Sequence, residues 1–378
     1  MPQIRPFPLS IAPERIDDLH RRLDHARWPE KETVDDWSQG TPLADLRDLA
    51  AWWRRGYDWR AFEARLNALG QFVTEIDGLD IHFLDIRSPH EDALPLVMTH
   101  GWPGSVVEFM RVIGPLTDPV AHGGRAEDAF HLVIPSLPGY GFSQRPDAPG
   151  WGVERIARAW AELMRRLGHR RWAAQGGDWG AFVTNAIGGQ APEGCIGIHV
   201  NMPIAGPTEA AKANPGPEDR RAFERMAYYR DFDGGYAKIQ GTRPQSLGYG
   251  LVDSPVGLAG WILEKLHGWS DNAGDVFAAL GRDAVLDNIM LYWLPGTGAS
   301  AARLYWESFG KTKPPQIAIP AGVSVFPGDI LPAPRPWVDR RVTNLVYWNE
   351  LDSGGHFAAW EKPEAFVAEL RACFALMR

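Results

Sequence analysis

Apolar positions recur along this chain in two rhythms, and the change of rhythm divides it. Over roughly the first eighty residues the spacing is helical. Ile16, Leu19, Leu23 and Ala26 mark one face of a helix that opens at Pro13 and ends at Trp28-Pro29. Leu43, Leu46, Leu49 and Trp53 mark a second, with Thr41 as cap and Pro42 as first helical residue. Trp59, Phe62, Leu66 and Leu69 mark a third, from Asp58 as cap to Gly70 as stop. No catalytic cluster falls here, so the segment reads as packing that wraps the rest.

From Phe72 onward the rhythm becomes that of strands. Residues 72–76 and 79–86 flank Asp77-Gly78, a strong hairpin signal. Short apolar runs follow at 96–99, 130–134, 172–175 and 196–200, with a helical pattern at 153–167 and another starting near Ala181. Alternating strands and helices with short links predict the α/β class, with a mostly parallel, doubly wound sheet. From 203 to 313 the strands stop, and helical patterns occupy 218–229, 255–266 and 283–294. Strand patterns return at 323–326 and 343–348, and a last helix covers 363–376. The expected organisation is a helical wrapping segment (1–80), a core in two pieces (81–202 and 314–378) and an inserted helical cap (203–313).

The chemistry concentrates at Gly176-Gly177-Asp178-Trp179-Gly180, between the strand at 172–175 and the helix after it. Small-x-nucleophile-x-small is the pattern of a nucleophile elbow, a strand-to-helix turn too tight for branched side chains. Here the central side chain is a carboxylate. A carboxylate is a poor acyl acceptor but a competent nucleophile at an sp³ carbon, and it leaves an ester of the protein that water must hydrolyse. The expected substrate is an electrophilic alkyl carbon, such as an epoxide or an alkyl halide.

His356, in Gly354-Gly355-His356-Phe357, follows the last strand and is the candidate base for that water. Asp329, just past a strand end in Phe326-Pro327-Gly328-Asp329, is the preferred acid to orient it; Glu350 and Asp352 compete. The loop His100-Gly101-Trp102-Pro103 also follows a strand. The backbone N–H groups of Trp102 and Trp179 are placed to form an oxyanion hole, with His100 supporting the loop. An epoxide oxygen needs a proton donor that stays protonated at neutral pH, which suits tyrosine. Tyr228, Tyr229, Tyr236, Tyr249, Tyr292 and Tyr305 lie in the cap region, and spacing alone does not choose among them.

Composition narrows the alternatives. The chain has 378 residues, 45% hydrophobic and 23% charged, with a net charge of −8. That balance argues against nucleic acid or an anionic membrane as partner. Cys195 and Cys373 are the two cysteines, too few for a disulfide framework or a zinc site, and no cofactor or metal is expected. Residues 1–10 carry no apolar signal core, and no stretch approaches the ~18 apolar residues of a membrane span. A cytoplasmic location is the expectation. The 17 tryptophans, several inside the motifs, suggest an apolar pocket for a bulky or aromatic substrate.

Over nearly its whole length the chain resembles the microsomal-type epoxide hydrolases of the α/β-hydrolase fold. The resemblance rests on the N-terminal helical segment, His100-Gly101-Trp102-Pro103-Gly104 and the Gly-Gly-Asp-Trp-Gly elbow. It rests further on Asp253-Ser254-Pro255-Val256-Gly257-Leu258, Met290-Leu291-Tyr292-Trp293 and Gly354-Gly355-His356-Phe357-Ala358-Ala359. It implies Asp178 as nucleophile, His356 as base and Asp329 as acid, where many members have Glu. Gly235-Tyr236 and Arg303-Leu304-Tyr305 match the segments of the two ring-opening tyrosines, which singles out Tyr236 and Tyr305. No counterpart of the mammalian members' membrane anchor is expected. The implied activity is cofactor-free hydrolysis of an epoxide to a vicinal diol; a homodimer is left open. Two rivals remain. A haloalkane dehalogenase would use the Trp179 and Trp102 indoles for halide, and a non-catalytic binding protein would lack one of the roles.

Overall fold

The computed structural model describes residues 3–378, and its described strands form one nine-stranded sheet. The strands are β1 (Arg5–Pro6), β2 (Gln71–Ile76), β3 (Leu79–Ile86), β4 (Leu94–Thr99), β5 (Phe130–Pro135), β6 (Trp172–Gly176), β7 (Cys195–Val200), β8 (Ala321–Val325) and β9 (Leu345–Glu350). Their spatial order is β1-β2-β3-β5-β4-β6-β7-β8-β9. β1, β2 and β3 pair antiparallel, and β3 meets β5 antiparallel; from β5 to β9 all pairs are parallel. The hairpin turns at Asp77 (φ 58°) and Gly78 (φ 86°), the left-handed pair of a two-residue loop. β6 is buried at every residue, as a central parallel strand covered on both faces must be. This is the α/β-hydrolase arrangement that the family resemblance implies, and its parallel part, β5 to β9, is the sheet expected from the alternation of strands and helices.

Between β7 and β8 the chain forms helices, among them Pro217–Tyr228, Gly235–Thr242, Pro244–Asp253, Pro255–Trp269, Arg282–Trp293 and Gly298–Ser308. The N-terminal helices Pro13–Asp24, Leu43–Arg55 and Trp59–Ala68 pack against this insertion. Their bonds to it are specific. The Trp53 indole N–H reaches Met290 Sδ at 3.3 Å, and the Tyr57 hydroxyl and the Arg65 guanidinium donate to Asp287 at 2.7 and 2.6 Å. Burial, opposed by these partners, pushes the Asp287 carboxyl up to about 6.

Two helix ends differ from expectation. The first helix stops at Asp24, not at Trp28-Pro29, because the backbone N–H and Nδ1 of His25 turn back on the Arg21 carbonyl. The second begins at Leu43, so Pro42 is its cap rather than its first residue. The Leu43 N–H is satisfied by Glu32 Oε2 at 2.9 Å, from another loop, while Thr41 donates its hydroxyl to the Gly260 carbonyl instead. The helices Gly235–Thr242 and Gly298–Ser308 had no clear apolar stripe, because Gly and Ala replace large residues along them.

The two chain crossings into and out of the insertion are tied by one buried cation. The Arg341 guanidinium donates to Asn185 Oδ1 at 2.9 Å and to the carbonyls of Ile204 and Pro315. Burial lowers its pKa to about 10, still far above neutrality. Arg341→Met should strand those carbonyls and destabilise the fold by about 3 kcal/mol. Denaturant unfolding checks this; a change under about 0.5 kcal/mol would mean the crossings hold without Arg341.

Candidate active site

β6 ends at Gly176, and the helix Trp179–Gln190 starts three residues later. Asp178 bridges them at φ 49°, ψ −127°, outside the ordinary regions for an L-residue. Glycine is required around it by close approach. A Cβ on Gly180 would overlap the Thr99 carbonyl at the end of β4, and one on Gly101 would overlap the Asp178 carboxylate itself.

The turn presents the carboxylate to two donors on opposite sides. The Trp102 backbone N–H donates to Asp178 Oδ1 at 2.8 Å. His356 Nε2 lies 3.2 Å from Asp178 Oδ2, and its Nδ1 lies 2.7 Å from Asp329 Oδ1. The three side chains are 13%, 1% and 2% exposed, for Asp178, His356 and Asp329. Burial opposes a charge on His356, but the Asp329 and Asp178 carboxylates overcome it and hold the imidazolium well above its ordinary 6.5. Glu350 and Asp352, the competing acids, are exposed. Trp179 is the first residue of the elbow helix, so its N–H has no carbonyl within the helix to bond. His100 supports the loop as expected: Nδ1 bonds the Gly101 carbonyl at 3.0 Å and Nε2 accepts from the Leu137 N–H at 3.2 Å, burial holding the ring neutral near 4.

The insertion brings both chosen tyrosines over this carboxylate. The Tyr236 ring stacks on Trp102 with centroids 4.8 Å apart and planes 10° apart. Tyr305 stands edge-on to Trp179 at 4.8 Å. Their hydroxyls are 3.5 Å apart. Burial first, then neighbouring negative charge including Asp178, raises both phenols well above 10, so both keep their protons. Tyr228 and Tyr249 are exposed, and Tyr292 spends its hydroxyl on the Gly104 carbonyl at 2.6 Å.

Several residues of the site escaped the sequence reading. Trp269 lies edge-on to both Tyr236 (5.2 Å) and His356 (5.1 Å), and its carbonyl accepts the His356 N–H at 2.8 Å. Glu361 accepts from the Gly355 and Phe357 N–H groups and so fixes the histidine loop. Glu108 lies against Gly104, and burial pushes its carboxyl up to about 8, so it is protonated at neutral pH. Glu361 and Glu108 act on loops within a few residues of themselves, whereas Trp269 reaches the site only through the fold. Among the described residues, no group of His, Cys, Asp and Glu could hold a metal ion.

Fold and site define an α/β hydrolase with an aspartate at its elbow. Comparison with known proteins gives the family. The profile described as "Epoxide hydrolase N terminus" matches residues 4–109, and that described as "alpha/beta hydrolase fold" matches 95–232. A Stigmatella aurantiaca protein that carries the epoxide hydrolase name provisionally is 53% identical over 376 residues, covering 99% of this chain and 86% of its own. Epoxide hydrolase 1 of Sus scrofa is 34% identical over 409 residues, covering 99% of this chain and 89% of its own. The crystal structure of the juvenile hormone epoxide hydrolase of Bombyx mori matches with a TM-score of 0.91 at 29% identity, over 100% of this chain and 95% of that one. The epoxide hydrolase of Aspergillus niger matches at 0.87 and 34% identity, over 100% and 97%. This chain belongs to the microsomal-type epoxide hydrolase family.

The two carboxylates around His356 give a pH expectation with a definite sign. His356 should hold its proton to a pH well above 6.5, and Asp178→Asn should bring its titration down, because one of the two charges favouring the imidazolium is gone. NMR titration of the His356 ring reads both values. An unchanged pKa in Asp178→Asn would mean the two side chains are not coupled.

Proposed function

We propose that this protein hydrolyses an epoxide to a vicinal diol through an ester on Asp178, with no cofactor. The observation that carries the reading is the carboxylate at the elbow, roofed by two buried phenols whose hydroxyls lie 3.5 Å apart. Tyr236 and Tyr305 donate to the epoxide oxygen. Asp178 attacks a ring carbon, the C–O bond breaks, and the alkoxide takes a phenolic proton. Asp178 Oδ1 accepts from the backbone Trp102 N–H, where the oxyanion of ester hydrolysis is to be held, so we assign Oδ1 as the ester carbonyl and Oδ2, which faces His356, as the attacking atom.

Esterification removes the Asp178 charge. His356 then loses one of the carboxylates that held its proton, releases that proton to solvent, and as a neutral base takes a proton from water, with Asp329 stabilising the imidazolium. The hydroxide adds to the ester carbonyl. The oxyanion forms at Oδ1, against the Trp102 and Trp179 N–H groups, and collapse releases the diol. Every role has a residue, which disfavours a non-catalytic binding protein.

The same reading treats 203–313 as a cap domain, 81–202 and 314–378 as the core, and 1–80 as a wrapping segment. In support, the phenols come from the insertion and the carboxylates and histidine from its flanks. A bulky or aromatic epoxide suits the aromatic rings packed around the two phenols, those of Trp102, Trp179 and Trp269. We place the enzyme in the cytoplasm; no described helix is long and apolar enough to cross a membrane.

One observation favours halide chemistry as a second reading: the Trp179 indole N–H is buried without a partner. Product analysis separates the two. With styrene oxide and a terminal haloalkane, diol should form from the first and no halide from the second. Asp178→Ala should lower diol formation by on the order of 10⁴-fold. Halide release without diol would reassign the tryptophans as halide ligands, and undiminished turnover in Asp178→Ala would remove the ester from the mechanism.

A further inference from the structure

A third phenol is bonded to the proposed acid. The hydroxyls of Tyr229 and Tyr236 lie 2.9 Å apart, and the rings meet edge-on at 6.4 Å. Tyr229 is half-buried, whereas Tyr236 and Tyr305 are 5% and 2% exposed. It opens a π-turn, Tyr229–Asp233, a widened helical turn of a kind frequent at functional sites. The far end of that turn is anchored. Asp233 accepts from the buried Lys265 ammonium at 2.7 Å and from the Trp269 indole N–H at 2.6 Å. Lys265 lies over the Tyr236 ring, 5.1 Å from its centroid, and Trp269 packs edge-on to it at 5.2 Å. The turn that carries Tyr229 is therefore tied to the residues that hold Tyr236.

Each phenol has one proton to donate and an oxygen that accepts. Without a substrate, either oxygen of the 2.9 Å pair serves as donor. Once Tyr236 directs its proton at an epoxide oxygen, the pair survives only with Tyr229 as donor. We propose that Tyr229 is a positioning residue for ring opening. Its O–H donates to the Tyr236 oxygen, turns the Tyr236 proton toward the substrate and stabilises the phenolate formed when that proton moves. This rests on Tyr236 being a ring-opening acid, as proposed above. The balance is complete. The Asp178 Oδ2–carbon bond forms, the ring C–O bond breaks, and the alkoxide takes the Tyr236 proton. The Tyr236 phenolate regains a proton from solvent, into which His356 releases the one it held beside the Asp178 carboxylate; the proton His356 then takes from water restores its resting imidazolium.

The test is single-turnover kinetics on styrene oxide, resolving formation of the Asp178 ester from its hydrolysis, for wild type, Tyr229→Phe, Tyr236→Phe and the double variant. A hydrogen bond to an oxygen taking on charge supports a roughly tenfold effect. Tyr229→Phe should slow ester formation by about that factor, leave ester hydrolysis within about twofold, and add nothing in the Tyr236→Phe background. A structural role would not give that pattern: it would slow both steps, or remain additive to Tyr236→Phe, and either result overturns the proposal. Normal ester formation in Tyr229→Phe with slow formation in Tyr236→Phe overturns it too, leaving Tyr236 as the acid. Normal ester formation in Tyr236→Phe removes the acid assignment itself, and the role of Tyr229 with it.

Discussion

Asp178 sits at φ 49° and ψ −127°, a backbone conformation that costs on the order of 1–3 kcal/mol and persists only where the surroundings dictate it. The surroundings are the sheet. β6 is locked between β4 and β7, its residues are buried throughout, and the helix behind it begins at Trp179, the residue after Asp178. Gly180 lets that helix approach the end of β4, and Gly101 leaves room for the carboxylate. The strain is thus held by packing far larger than itself. What it achieves is direction: the carboxylate stands clear of the sheet edge, where the Trp102 N–H, His356 and the inserted helices converge on it.

The charges at that point are unbalanced on purpose of chemistry rather than stability. One imidazolium lies between a buried carboxylate, Asp329, and a partly exposed one, Asp178, and Asp329 Oδ2 has no partner at all among the described residues. Burial of such a set is a weak source of stability. In the proposed reaction its value is that ester formation cancels the Asp178 charge and so changes what His356 is. One side chain is thereby an ion-pair partner in the first half of the cycle and a base in the second. In the same proposal, two protonated phenols above the carboxylate supply the acid that a neutral ether oxygen needs before it can leave.

The parts of this site that were legible in the sequence are those made by neighbours along the chain. The elbow announces itself because a tight strand-to-helix turn requires small residues at fixed offsets. The Gly354-Gly355-His356 loop and Asp329 follow strands, where side chains reach the sheet edge. The strands themselves emerged within a few residues of their bounds, since short apolar runs in a parallel sheet need no partner to be recognised. Choosing Tyr236 and Tyr305 among six tyrosines took family resemblance, because helix periodicity does not say which face of an inserted helix will look down. Trp269, Lys265 and Asp233 were hidden for a harder reason: they meet only after the chain has folded back, in contacts 32 or 36 residues apart. The two-residue β1 is likewise invisible, being too short to carry a pattern.

The covalent route and direct hydration of the epoxide give the same diol, but they draw its new oxygen from different places. A single turnover with enzyme in excess, run in H₂¹⁸O, separates them. The account predicts that the first diol carries oxygen from Asp178 and no ¹⁸O, while mass spectrometry of the peptide containing Asp178 finds ¹⁸O in its carboxylate. A first-turnover diol labelled with ¹⁸O, with an unlabelled Asp178 peptide, would show that water attacks the ring directly, and the ester would have no place in the reaction.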